Sequence, residues 1–203
     1  HRLFSVLLVG LAATASASHM PVASDLATVT LADYTTIPDG RSPAFSLNGT
    51  TVTGSADITS GDIGGIRGLG VFGGTFPPTT DLSLDLGETL TIDYGQLVTG
   101  VKLQVVDIDP PGNVRYAFEA FDEQRSLGVV EVPRHMVRIE TINLSALVAN
   151  EPFTRVSLTV IESAPAGLQI QRTSFTPIPE PLTLALLGIA AAGLPEFTRV
   201  RAR

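Results

Sequence analysis

Residues 88–107 read ETLTIDYGQLVTGVKLQVVD, and this stretch decides the fold class that the sequence predicts. In its first half, Leu90, Ile92 and Tyr94 are spaced by two and fall on one face of an extended chain. In its second half, residues 100–105 alternate valine and leucine with polar side chains. A period of two is typical of a strand with one buried and one solvated face. We therefore expect antiparallel β-strands packed on a core.

The same alternation recurs through the middle of the chain, separated by turn sequences. Asn48-Gly49 is a strong hairpin signal, because both positions must adopt positive φ in a two-residue turn. Residues 109–113 and 122–125 are also predicted turns, and residues 143–153 can hold one short helical turn. Eight to ten strands at this spacing predict an all-β fold, an antiparallel, jelly-roll-like β-sandwich, with a barrel as the alternative. The other period-two segments are 113–121, 154–162 and 167–176.

A glycine- and proline-rich stretch at residues 61–80 predicts a long surface loop. Within it, residues 68–73 match the GxGxxG spacing of dinucleotide-binding turns. That fingerprint needs a helix to begin at the glycines. Gly74 and Pro77-Pro78 would break such a helix, so we expect no nucleotide site here.

The composition narrows the possible partners. The 203 residues carry a formal net charge of −7, and residues 18–177 alone hold 18 acidic against 9 basic residues, a charge of −9. Nucleic-acid binding needs a basic surface, so this class is excluded, whereas cations and neutral polymers fit. The chain has no cysteine, which removes disulfides, thiolate nucleophiles and cysteine-based metal sites.

The N-terminal residues have the pattern of a secretory signal peptide. Arg2 supplies the positive end, residues 3–13 form an apolar stretch, and Ala15-Ser16-Ala17 is a small-x-small cleavage site. We expect residues 1–17 to be removed on export, with Ala15 and Ala17 at the cleavage positions. The apolar stretch is too short to span a bilayer stably.

The C-terminal residues 178–203 contain three elements in order. These are Pro179-Glu180-Pro181, an uncharged apolar run at Leu182–Leu194, and three arginines, Arg199, Arg201 and Arg203. As a helix the run would cover roughly 20 Å of a hydrocarbon core of about 30 Å. Arginines are retained on the cytoplasmic side of membranes, so the Pro-Glu-Pro motif would face outward. The prolines keep this motif extended.

This ending resembles the PEP-CTERM sorting signal, and residues 18–177 resemble the passenger of such proteins more diffusely. The resemblance implies a Gram-negative bacterium, an exosortase-like membrane enzyme that processes the chain near Pro179-Glu180-Pro181, and a transient inner-membrane anchor. It further implies a final location at the cell surface or in an exopolysaccharide or biofilm matrix. The ending departs from the family pattern at two places, so an altered sorting signal is the alternative. Leu182 stands where serine is common in the family, and Pro195-Glu196 interrupts the apolar run.

Asp107 and Asp109 form the strongest candidate metal site in the predicted passenger domain. Alternating carboxylates suit Ca²⁺, and Asp57 or Asp62 from another loop could complete the set. Pro111 occupies the next ligand position of an EF-hand loop, so that motif is excluded. We favour a turn in which the aspartates accept backbone N–H groups, and we predict no cofactor, with Ca²⁺ at this turn as the alternative.

No catalytic constellation emerges from the sequence, so we predict a non-enzymatic surface or matrix protein. His135 is the one histidine of the passenger away from its N-terminal edge, which leaves no triad. A carbohydrate- or calcium-binding module is the alternative, and a secreted glycoside hydrolase is less favoured, since it needs two carboxylates facing a cleft. Glu119 and Glu131 are expected to be solvated. Aromatic residues that could stack on sugar rings are Tyr34, Phe45, Phe72, Phe76 and Phe121.

Overall fold

The computed structural model describes residues 28–73, 82–107, 115–132, 139–162 and 167–179. The predicted signal peptide, the apolar run at 182–194 and the arginine tail lie outside these ranges. The described part of the chain is mostly β-strand, with one short 3-10 helix and one helical turn. The elements are β1 (Thr30–Asp33), the 3-10 helix (Tyr34–Thr36), β2 (Gly40–Leu47), β3 (Thr50–Ile63), β4 (Ile66–Val71), β5 (Thr89–Asp107), β6 (Arg115–Asp122), β7 (Arg125–Val132), β8 (Ile139–Asn143), α1 (Leu144–Leu147), β9 (Phe153–Glu162) and β10 (Leu168–Pro177).

The strands pair antiparallel throughout and form two layers that share β3 and β5. The first sheet runs β2-β3-β5-β9-β6-β7 and uses the first half of β5. The second sheet uses the second half of β5, which lies between β8 and β10. Both β1 and β4 border the other side of β10, and the second half of β3 pairs with β4. The predicted antiparallel, jelly-roll-like β-sandwich is confirmed. The pairings of β5 with β3, β3 with β4, β4 with β10 and β10 with β5 close a ring, because the long strands β3 and β5 each pass from one layer to the other.

The core lies between the two layers, as the period of two predicts. Leu90, Ile92 and Tyr94 from the first half of β5 are almost completely buried, as are Val101 and Leu103 from its second half. Tyr94 packs edge-on against Phe175 of β10, with ring centroids 4.9 Å apart, and against Phe153 of β9 at 6.0 Å. These aromatic contacts join strands of both layers.

The predicted turns are also confirmed where they are described. Asn48 and Gly49 have φ values of 47° and 79° and connect β2 to β3. Asp122 pairs with Arg125 across the β6–β7 hairpin, where Glu123 has a φ of 53°. The helical turn expected within residues 143–153 is α1.

The prediction of a long surface loop at residues 61–80 is wrong for the first half of this range. Residues 61–63 finish β3, and residues 66–71 form β4. The glycines of the GxGxxG match serve close packing: a Cβ on Gly68 would lie 2.7 Å from the carbonyl oxygen of Ile170, and one on Gly70 would overlap the backbone of Leu82. Glycine composition alone does not distinguish a flexible loop from a strand that neighbouring backbone approaches closely.

Candidate functional site

A cleft of about 820 Å³ opens at the end of the sandwich where β5 crosses from the first sheet to the second. Its cause is a break in register. Asp93 pairs with Arg155, and the next pair is Val98 with Phe153, so four residues of β5 face Thr154 alone. A bulge of this kind bends its strand and interrupts the ladder. The extra residues, Tyr94 to Leu97, are lifted out of the pairing and leave space above β9.

The bulge is held in place by local hydrogen bonds. Asp93 Oδ1 accepts the backbone N–H of Gly95 at 2.7 Å, and Gly95 has a φ of 65°, which favours glycine. On the other side, the backbone N–H of Ile178 donates to the carbonyl oxygen of Leu97 at 2.9 Å. The segment after β10 is thereby fixed against the bulge and adds Ile178 and Pro179 to the cleft.

The β6–β7 hairpin forms the opposite wall. The backbone N–H of Glu123 donates to Thr154 Oγ1 at 3.0 Å, and that hydroxyl donates to the carbonyl oxygen of Phe121 at 3.1 Å. The guanidinium of Arg155 stacks on the Phe121 ring at 4.6 Å and donates to the carbonyl oxygen of Glu123 at 3.3 Å. The floor of the cleft is therefore rigidly connected to the hairpin.

The lining of the cleft combines an apolar part and a polar part. Leu97, Ile178 and Pro179 supply apolar surface, and Leu97 is 38% exposed. The other lining side chains are polar: Asp93, Gln96, Glu123, Gln124, Thr154 and Arg155. Within the described ranges no ion pair joins Asp93 or Arg155 to another residue, and both residues line the cleft. Such a surface suits a ligand with one apolar face and a rim of hydrogen-bonding groups.

The candidate calcium residues lie partly outside the described ranges. Asp107 ends β5 and is 9% exposed, and Asp109 lies outside the described ranges. Asp57 is ion-paired with Arg41 at 2.6 Å, and Asp62 accepts the backbone N–H of Gly65 at 2.7 Å. Among the described residues, no group of three or more histidines, aspartates and glutamates is placed to hold a metal ion.

The aromatic and acidic candidates are dispersed. Tyr34 is completely buried, Phe45 packs against the core, and Phe72 lies under Arg41 at 3.6 Å. Phe121 lies beneath the guanidinium of Arg155, which lines the cleft, and Phe121 is not itself a lining residue. Glu131 is paired with Arg115 at 2.7 Å, and Glu119 lies on the outer face opposite Ser157. His135 and Phe76 lie outside the described residues.

Of the sorting motif, Pro179 alone is described, exposed at the cleft; Glu180, Pro181 and the three arginines lie outside the described ranges, as do Ala15 and Ala17. No helix in the described ranges is long and apolar enough to cross a membrane.

No protein-family model matches this chain, and no curated protein matches it significantly. Among solved structures, the chain is similar to the family 32 carbohydrate-binding module from C. perfringens NanJ in complex with galactose, with a TM-score of 0.39 and 8% identity over 66% of this chain and 98% of that one. A structure described as a glycoside hydrolase gives a TM-score of 0.36 and 13% identity over 68% of this chain and 32% of that one. Both TM-scores lie below 0.5, so neither structure assigns a function to this chain.

Proposed function

We propose that the sandwich is a non-catalytic carbohydrate-binding module and that it binds neutral saccharides in the cleft between the β5 bulge and the β6–β7 hairpin. The observation that carries this proposal is the divided lining of the cleft. A pyranose ring has an apolar C–H face and a rim of hydroxyls that both donate and accept. Leu97 and Pro179 can pack against the face, while Asp93 and Arg155 can accept from and donate to the rim.

The charge of the cleft favours neutral over anionic saccharides. Its lining carries two carboxylates, Asp93 and Glu123, against the single guanidinium of Arg155. The whole chain has a formal charge of −7. A polyanion such as a uronate polymer would therefore be repelled at both short and long range.

Affinity electrophoresis of the full chain tests this proposal. Native gels would contain neutral polysaccharides (glucan, galactan and mannan) or anionic ones (alginate and pectate). We expect at least one neutral polymer to retard the protein and the anionic polymers to leave its mobility unchanged. Absence of retardation by every neutral polymer, or retardation by the anionic ones alone, would overturn the proposal.

A matched pair of arginine variants locates the site. Arg155→Met keeps an unbranched side chain on Phe121 but removes the cleft's cation, and we expect it to abolish retardation. Arg115→Met is the control, because Arg115 lies on the adjacent strand β6 with Glu131 and Glu162 as its partners, outside the cleft. Thermal unfolding of both variants checks that the fold is intact. Equal loss of binding in both would contradict the cleft assignment.

Hydrolysis is the second candidate, because Asp93 and Glu123 place two carboxylates in one cleft. The retained polysaccharide is incubated with the full chain, and reducing ends are measured. We expect none to be released. If reducing ends are released, and both Asp93→Asn and Glu123→Gln abolish this release, the chain is a glycoside hydrolase and not a non-catalytic binding module.

We also propose that the chain is exported, held transiently in the inner membrane and processed near Pro179-Glu180-Pro181 by an exosortase-like enzyme, which delivers it to the cell surface or exopolysaccharide matrix. The support is the order of the sequence elements, together with the end of β10 at Pro177, just before the motif. Intact mass from hosts with and without the enzyme tests this. Retention of Arg199, Arg201 and Arg203 in both hosts would remove the sorting proposal and leave the binding proposal standing.

A further inference from the structure

A second concavity adjoins the cleft on the outer face of the first sheet. Its volume is about 410 Å³, and Asp93, Gly95 and Arg155 line it as well as the cleft. Its remaining lining residues come from β3, β5 and the β2–β3 hairpin: Gly49, Thr51, Thr53 and Thr91. The two concavities are therefore continuous through the Asp93–Arg155 register pair.

The strand register fixes the length of this combined surface. Arg155 pairs with Asp93, and Asp93 pairs with Thr51, so the row of lining residues crosses β9, β5 and β3 in turn. Neighbouring strands lie about 4.8 Å apart, which makes this row roughly 10 Å long. A single sugar ring, whose bonds are about 1.5 Å long, fills only part of it.

The chemistry of the second concavity matches that of a saccharide. Threonine hydroxyls both donate and accept, as sugar hydroxyls do. Thr51 Oγ1 lies 3.1 Å from Ser46 Oγ, and Thr91 Oγ1 lies 2.9 Å from Ser157 Oγ, so neighbouring hydroxyls orient them. Among the described residues that line this concavity, only the shared Asp93 and Arg155 are charged.

We infer that the two concavities form one track, which binds an internal stretch of a linear neutral polysaccharide across the strands of the first sheet. This inference rests on the proposed function and adds the class of ligand: an extended chain of several sugar units rather than a terminal sugar. In this arrangement the Asp93–Arg155 pair binds a central unit. Thr51 and Thr53 bind the units that extend toward the β2–β3 hairpin.

Titration calorimetry with oligosaccharides of two to six units, prepared from the neutral polysaccharide that retards the full chain, tests the track. We expect affinity to rise at least about tenfold from the two-unit to the six-unit ligand. The double variant Thr51→Val, Thr53→Val preserves side-chain shape and should weaken six-unit binding several-fold while leaving two-unit binding unchanged. Thr159→Val is the control, because Thr159 lies on the same strand as Arg155 and outside both concavities.

The outcomes separate this inference from the proposed function. Two results would overturn the track: an affinity that does not rise beyond the two-unit ligand, or six-unit binding that the double variant leaves unchanged. If Arg155→Met still abolished binding in either case, the proposed function would stand. Loss of six-unit affinity in Thr159→Val to the same extent would also overturn it, since the effect would not be local. If no neutral polysaccharide retards the full chain in affinity electrophoresis, the proposed function itself is overturned.

Discussion

Asp93 of β5 and Arg155 of β9 lie directly opposite each other, and they are the last register pair before β5 bulges away from β9. The pair therefore marks both the edge of the regular sheet and the centre of the proposed saccharide track. Strand pairing fixes the position of each Cα, while the bulge provides the space above them.

The bulge depends on the left-handed backbone of Gly95. Its φ is 65° and a Cβ would meet no atom within 4 Å, so Gly95→Ala introduces backbone strain without a clash. We expect a loss of about 1–2 kcal/mol in the free energy of unfolding and weaker saccharide binding, because Asp93 and Leu97 would move. Gly87→Ala is the matched control, since Gly87 has a φ of 81°, equal space and no place in either concavity. Equal binding losses in both variants, measured by calorimetry, would contradict the bulge's role.

The glycines of β4 are required for close packing. Gly70→Ala would push a methyl group into the backbone of Leu82 and Ser83, which cannot give way as a flexible side chain can. We expect a loss of about 1–3 kcal/mol or more, seen as a melting temperature lower by several degrees. Gly40→Ala should change it little, because a Cβ there meets nothing within 4 Å. A Gly70→Ala variant as stable as Gly40→Ala would show that β4 does not pack as described.

A buried hydroxyl pair links the two layers. Tyr94 Oη lies 3.1 Å from Thr173 Oγ1, and Thr173 donates its own proton to the carbonyl oxygen of Lys102. Tyr94 is therefore the donor to Thr173. We expect Tyr94→Phe to lower stability by about 1 kcal/mol, measured by urea unfolding. In a double-mutant cycle with Thr173→Val the two losses should not add; strict additivity would contradict the bond.

Asp33 should make stability depend on pH in the acid range. Burial raises the pKa of its carboxyl, but hydrogen bonds from Thr35 and Arg172 outweigh this and hold the pKa below its usual 3.8. The folded state therefore gains stability above the unfolded pKa and loses it as pH falls through the lowered folded value. Asp33→Asn should cost about 1 kcal/mol at neutral pH, with the difference in melting temperature narrowing below pH 4. A difference independent of pH would exclude the ionic contribution.

The sequence predicts the sandwich well because burial on one face imposes a period of two on residues such as Leu90, Ile92 and Leu158. It also predicts the Asn48-Gly49 turn, because local backbone geometry decides that residue choice. It misses β4, since Gly68 and Gly70 are selected by backbone from distant β10 and from Leu82. It also misses the cleft: Arg155 reads as an ordinary outward position of a strand, and the period of two places Thr154 on the inner face with Val156. Gly95, which interrupts the alternation after Tyr94, was the one local signal of the bulge.

Hydrogen-exchange protection in the presence of the retained neutral polysaccharide tests the central claim most directly. Amides of the full chain are compared with and without saturating ligand, peptide by peptide. The account predicts added protection in residues 93–97, at the β6–β7 hairpin around Glu123 and Gln124, and around Thr154 and Arg155. Protection confined to the other end of the sandwich, around Asp107 and Glu140, or spread without preference over the domain, would contradict a saccharide site in the cleft.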